Sequence, residues 1–301
     1  MKKQPEKKNN GRLTRIKRSE RRKINLFLLP SAVGMLVFYI IPFFVIIYYS
    51  LINNPVKKSF VFLDNFTALI KNSAFRQASV NTLRFSALAV PLAVILSLVL
   101  ALALMRNIPF KSQLRTVFLS PMMVPVASVI LIWQVVFHYN GTANEILALF
   151  GAAPVDWLKS DFSQIVVILL FLWKNLGYNM ILFMSALSAI PVDVLEVAQL
   201  EGASDMQIFF KIKLRYLSST MVFVTLMSVI NSFKIFREVY LLTGDYPYDT
   251  LYMLQHFMNN VFGRLEYQKL SAAAIIMALA VSVIIAVLLF IDSKAEEGIA
   301  E

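Results

Sequence analysis

Ser228, Asn231, Ser232 and Ile235 recur at i, i+3, i+4 and i+7, the spacing that puts side chains on one face of a helix. Lys174, Tyr178 and Ser185 form a second such stripe, with Asn175 and Asn179 beside it. Uncharged donors and acceptors with one aromatic ring suit hydrogen bonding to a neutral polyhydroxylated ligand, and the same groups also serve as hydrogen bonds between helices. Groups that drive covalent chemistry are scarce. The chain has no cysteine, which excludes disulfides, thiolate nucleophiles and Cys-held metals. Its two histidines, His138 and His256, are too few for a histidine-built metal or acid–base centre. None of the nine glycines forms a Gly-x4-Gly-Lys-Ser/Thr loop, so the chain has no such cradle for a nucleotide phosphate.

The elements that must position these stripes are set by composition. Of 301 residues, 58% are hydrophobic and 16% charged, far from the balance of a water-soluble domain. The mean hydropathy is +0.67. Five segments are long and apolar enough to span a bilayer as helices: 24–51, 85–105, 116–138, 165–190 and 270–291. A sixth, 217–233, is shorter and rich in Ser and Thr. The fold class is therefore all-α, a polytopic membrane protein with six transmembrane helices. Pro30, Pro42, Pro91, Pro121 and Pro125 fall inside these spans, where neighbours must satisfy the freed carbonyls. The acids lie in the loops and tails, and Lys174 is the one ionisable residue near the middle of a span. Ion-coupled carriers bury acids for their coupling ion, so this pattern argues against self-powered transport.

Charge sets the expected orientation. Residues 1–23 hold 11 of the 29 Lys and Arg, a basic head that reads as a cytoplasmic tail rather than a nucleic-acid site. The apolar run behind it is too long for a signal peptide and stays as an anchor. Six crossings place both termini on the cytoplasmic side, with the tail at 292–301 and the loop 191–216 there too. The resulting division is a tail at 1–23, a membrane domain at 24–291 and a C-terminal tail.

The loop 191–216 carries its own code. Pro191 suits the start of a helix, and Gly202 permits a left-handed stop. Ser204 with Gln207 three residues on is a capping box that opens a second helix. Asp205 near its start and Lys211, Lys213 and Arg215 near its end complement the helix dipole. Two short helices joined at a glycine bend are predicted.

This passage resembles the E-A-A-x3-G-x9-I-x-L-P loop of the inner-membrane permeases of binding-protein-dependent ABC importers. Glu196, Val197, Ala198, Gly202, Ile212 and Leu214 occupy its positions, with Ala203 beside the glycine; Val197 replaces the second Ala and Arg215 the Pro. The resemblance runs on through Leu29-Pro30, Phe38 and Pro42, Leu63-Asp64-Asn65-Phe66, Asn81-Thr82, Leu119 and Pro121, Trp173-Lys174, and Leu176-Gly177-Tyr178-Asn179-Met180. These segments look like the carbohydrate-uptake branch, of the maltose, maltooligosaccharide and glycerol-phosphate type.

The resemblance implies the type I ABC importer permease fold and a non-enzymatic subunit of the prokaryotic plasma membrane. It implies as partners a sister permease, two ATPase subunits and an extracytoplasmic solute-binding protein. No cofactor is expected in this chain, since ATP and Mg would sit on the ATPases. Glu196, Val197, Ala198, Gly202 and Ala203 are the implied ATPase-coupling residues. Tyr178, Asn179, Ser228, Asn231, Ser232 and Ile235 are the implied substrate path, although Asn231, Ser232 and Ile235 depart from the maltose-type residues. A permease for an amino acid, peptide or phosphate ester is the alternative within the class. A self-sufficient carrier is the alternative outside it.

Overall fold

The computed structural model describes residues 26–54, 56–106 and 108–300, with side chains through 293. The basic head lies outside the described residues. Five helices have the length and apolarity of membrane spans: Leu26–Ser50, Ser73–Met105, Ser163–Ser188, Ser218–Thr243 and Tyr267–Ser293. A sixth crossing exists only as a bent pair, Lys111–Met122 with Val126–Val136, turned by 100°. In chain order we number α1 (Leu26–Ser50), α2 (Asp64–Lys71), α3 (Ser73–Met105), α4 (Lys111–Leu119), α5 (Val126–Val136), α6 (Thr142–Leu149) and α7 (Ser163–Ser188). There follow α8 (Val192–Leu200), α9 (Asp205–Gln207), α10 (Ser218–Phe233), α11 (Phe236–Thr243), α12 (Leu254–Gly263) and α13 (Tyr267–Ala300).

Contacts divide the chain into two units. One contains the residues up to Phe66 and the opening turns of α13, Tyr267–Ile275. Within it α1 carries a π-helical stretch, Leu36–Ile40, that ends two residues before Pro42. A proline removes a donor and crowds the carbonyl four residues back, and an expanded turn at that point relieves the clash. Asn65 closes the following loop, its Nδ2 donating to the carbonyls of Ser50 (2.8 Å) and Ile52 (2.9 Å).

The second unit, Thr67–Glu266 with Ile276 onward, holds the larger core. Ala89, Ala93, Ser97 and Ala101 recur every fourth residue on α3, all fully buried. Such a small-residue face lets two helix backbones approach closely where lipid gives no hydrophobic drive. Phe85, Ala89 and Ala93 of α3 pack with Val166, Val167, Leu170 and Phe171 of α7, Ile130 of α5, and Val239 and Leu242 of α11. Phe85 and Phe171 meet edge to face at 5.6 Å. Asn81 and Thr82 fasten α12 to α3: Asn81 Nδ2 donates to the carbonyls of Asp249 (2.6 Å) and Tyr252 (3.0 Å), and Thr82 Oγ1 accepts from the Leu254 amide (2.8 Å).

Two expectations from hydropathy are corrected here. The third span is not one helix over 116–138; it breaks between Met122 and Val126, where Pro121 and Pro125 lack donors. The fifth, expected to end at Phe233, runs with α11 to Thr243. Lys234, Arg237 and Glu238, taken for loop residues, belong to that span. Long helices fill much of the other connections: α3 starts at Ser73 rather than near 85, and α13 continues to Ala300.

Candidate functional site

The loop between α7 and α10 has the predicted form. Pro191 is the N-cap of α8, and Gly202 adopts φ +83° immediately after the helix. An added Cβ at Gly202 would meet nothing within 4 Å, so backbone conformation alone requires glycine here. Ser204 Oγ accepts from the Gln207 amide (3.3 Å) while Gln207 Oε1 accepts from the Ser204 amide (2.9 Å), the reciprocal bonds of a capping box. Beyond α9 the chain winds through a π stretch, Ile208–Lys213, and a last turn, Leu214–Tyr216. Leu217, fully buried, precedes α10.

The surface of this hairpin is unusual for a loop. Val192, Val197, Leu200, Met206 and Phe210 are all more than half exposed, Leu200 at 87%. Glu196 and Gly202 are exposed as well, while Ala198 and Ala203 are half-buried. Behind the hairpin a cleft of about 580 Å³ runs along the ends of α3 and α7, lined by Leu102, Met105, Leu187, Leu195 and Phe209 among others.

The polar stripes are divided by the packing. Asn179 Nδ2 donates to Ser228 Oγ (3.0 Å), and both residues are buried. Ser232 Oγ donates to the Val229 carbonyl (2.7 Å) and lies 2.8 Å from Ser86 Oγ. Ile235 is buried in the core. Asn231 is exposed, although its Nδ2 donates to Asn175 Oδ1 (2.8 Å), and Tyr178 is half-buried. Asn179, Ser228 and Ser232 therefore join α7, α10 and α3, and Ile235 fills the core at the start of α11. Tyr178 and Asn231 keep an open side, Asn231 while also bonding α10 to α7.

One pair escaped the sequence reading. The Lys174 ammonium of α7 donates to Glu238 Oε1 of α11, with the Glu238 side chain 4% exposed. The expectation that no acid lies inside a span is thus corrected. Hydropathy placed Glu238 in a loop because Lys234, Arg237 and Glu238 cluster there, and no local window reveals a partner 64 residues away. Among the described residues no three His, Asp or Glu side chains converge as metal ligands.

The hairpin, the helix order and the broken span now stand beside what is known of other proteins. The family described as binding-protein-dependent transport system inner membrane component matches residues 69–297. The chain belongs to that family. It is a multi-pass membrane component of a transport system, not an enzyme. A trehalose/maltose transport system permease protein of Thermococcus litoralis is 30% identical over 244 residues, 79% of this chain and 83% of that protein. An arabinooligosaccharides transport system permease protein of Bacillus subtilis is 29% identical over 227 residues, 72% of this chain and 71% of the relative. The fold is that of a solved bacterial ABC transporter chain involved in import of the acidic polysaccharide alginate, with a TM-score of 0.81 and 20% identity over 93% of this chain and 99% of that one.

Proposed function

We propose that the chain forms half of the translocation pathway of an ATP-driven importer for a sugar or oligosaccharide. The observation that carries this reading is the hairpin at 192–216. Its shape is locked by a left-handed glycine and a capping box, yet its apolar side chains point outward. An element this rigid and this apolar is made to be covered by a partner. In this reading Glu196, Val197, Ala198, Gly202 and Ala203 dock into an ATPase subunit. Two such subunits bind ATP and Mg, one under this chain and one under a sister permease. Both termini and the hairpin are then cytoplasmic, and an extracytoplasmic binding protein delivers the solute.

The solute class rests on the relatives, whose names are those of sugar permeases, and on the polar groups of α7 and α10. Tyr178 and Asn231 meet the solute on the open side of the helix pair. Asn179, Ser228, Ser232 and Ile235 hold that pair in register behind them. The test is the composition of the complex recovered through a tag on this chain, read by native mass spectrometry. One copy of this chain, one different permease and two ATPase subunits are expected. A homo-oligomer without ATPase would refute the reading.

A further inference from the structure

The acid that hydropathy left in a loop is buried and paired with a residue near the middle of another span. Lys174 lies eleven residues into the 26-residue α7, close to mid-span, and Glu238 lies five residues short of the end of its own span. Glu238 is buried while the Lys174 side chain stays 39% exposed, and such a pair is poor evidence of stabilisation, because desolvation of the buried acid offsets the attraction. Its use lies in fixing one geometry, and its neighbours show which. Pro121, Val124, Val126 and Val129, from both sides of the elbow in the third span, share with Lys174 and Glu238 the wall of a void of about 10 Å³. That is the room of one water molecule.

The two arms of the elbow are gripped on either side of this pair. At Gly177, one turn along α7 from Lys174, an added Cβ would lie 1.8 Å from the Phe118 carbonyl oxygen, so α4 rests backbone to backbone on α7. The second arm is held by α11, since Gln134 Nε2 donates to the carbonyls of Leu241 (3.1 Å) and Leu242 (3.2 Å). α7 therefore holds one arm and α11 the other. The ion pair is the charged link between the two holders.

We propose that Lys174 and Glu238 are positioning residues of the transport path, whose ion pair locks α11 to α7 and thereby sets the 100° elbow of the third span. The effect on uptake rests on the half-pathway reading above; the effect on the elbow does not. Lys174 is then engaged inside the chain and is not the group that reads a solute charge.

The absence of native cysteine allows a direct test on the full chain in membranes. Val124→Cys places one thiol at the elbow, where the native side chain is 39% exposed. Its rate of reaction with a water-soluble maleimide is measured at a temperature well below unfolding, where a loss of stability alone leaves the rate unmoved. Lys174→Gln leaves the buried Glu238 charge without its partner and should raise the rate by about tenfold, while Glu238→Gln frees the part-exposed Lys174 and should raise it less. The exchanged pair, Lys174→Glu with Glu238→Lys, should bring the rate back toward the parent. Glu238→Asp, which keeps the charge but withdraws it by one methylene, should give an intermediate rise and serves if either Gln variant fails to accumulate. Parent-like rates in the single variants would overturn the proposal. So would full restoration by Lys174→Met with Glu238→Met, which would make the pair mere filling. A complex without ATPase would refute the importer reading while leaving these rates able to judge the elbow.

Discussion

The hairpin at 192–216 and the elbow of the third span both interrupt helices, and they are held in opposite ways. In the hairpin the fixing contacts are local: Pro191 at the N-cap, Gly202 at φ +83°, and Ser204 with Gln207 bonding across three residues. At the elbow the holders come from far along the chain. Gln134 reaches Leu241 and Leu242 over more than 100 residues, Gly177 receives Phe118, and Lys174 finds Glu238. A locally specified element keeps its form without help from the rest of the fold. An element held by distant helices takes its form from their packing, and changes when the packing changes.

The largest effect that separates the two regions is one of pH. His256 on α12 is 1% exposed, and its ring stands 4.7 Å from that of Phe236 at the start of α11. Both ring nitrogens lack a hydrogen-bond partner, and burial pushes the imidazole down to about 4. The folded value lies below that of an unfolded histidine. The unfolded chain therefore takes up a proton first as pH falls, and stability is complete above about 6.5 and lost between there and about 4. The loss over that window is on the order of 3 kcal/mol. Thermal unfolding of the complex across these pH values should show it, and His256→Phe should remove that part. Protection against hydrogen exchange at Ser204 and Gln207, taken relative to the intrinsic rate at each pH, should stay flat over the same range.

A pair of glycine substitutions gives the next effect. Gly177→Ala drives a methyl against backbone, and overpacking of about 1–3 kcal/mol exceeds the roughly 0.5–1 kcal/mol that alanine adds to a helix. Global unfolding should shift downward. Gly202→Ala meets no neighbour but carries a left-handed backbone cost of about 1–2 kcal/mol, which should show as faster exchange within the hairpin alone. Ser204→Ala should weaken the same segment by about 1 kcal/mol through the lost cap, again locally. If Ser204→Ala altered thiol reactivity at Val124→Cys, the separation between the two regions would be wrong. The smallest effect falls on the path: Asn231→Ala removes an exposed amide proposed to meet the solute. One hydrogen bond lost to a neutral ligand, worth about 0.5–1.5 kcal/mol, should slow uptake by roughly 2- to 13-fold without changing basal ATP hydrolysis.

What was legible in the residues follows the same division. The caps and the glycine bend of the hairpin could be read because such signals are written within four or five positions, whereas the π stretch Ile208–Lys213 could not. The spans were legible as apolar runs, but an apolar window averages over Pro121 and Pro125 and reports one straight helix where the chain turns by 100°. The fifth span was cut short because three charged residues at 234–238 look like a loop until Lys174 neutralises one of them. The helical stripes of Ser and Asn were correctly placed on α7 and α10. Which members are enclosed depends on α3, whose Ser86 meets Ser232, and no periodicity within one helix carries that information.

In the proposed importer the exposed hairpin is where this chain meets the ATPase on the cytoplasmic side. Leu200→Cys, at 87% exposure, and Leu149→Cys in the loop after the third span, at 83%, give two single-thiol reporters in an otherwise cysteine-free chain. In intact cells a membrane-impermeant maleimide should label Leu149→Cys and spare Leu200→Cys. In the purified complex a short bifunctional thiol–amine reagent should join Leu200→Cys to the ATPase subunit. Labelling of Leu200→Cys from outside the cell, or its cross-linking to the solute-binding protein in place of the ATPase, would contradict the account.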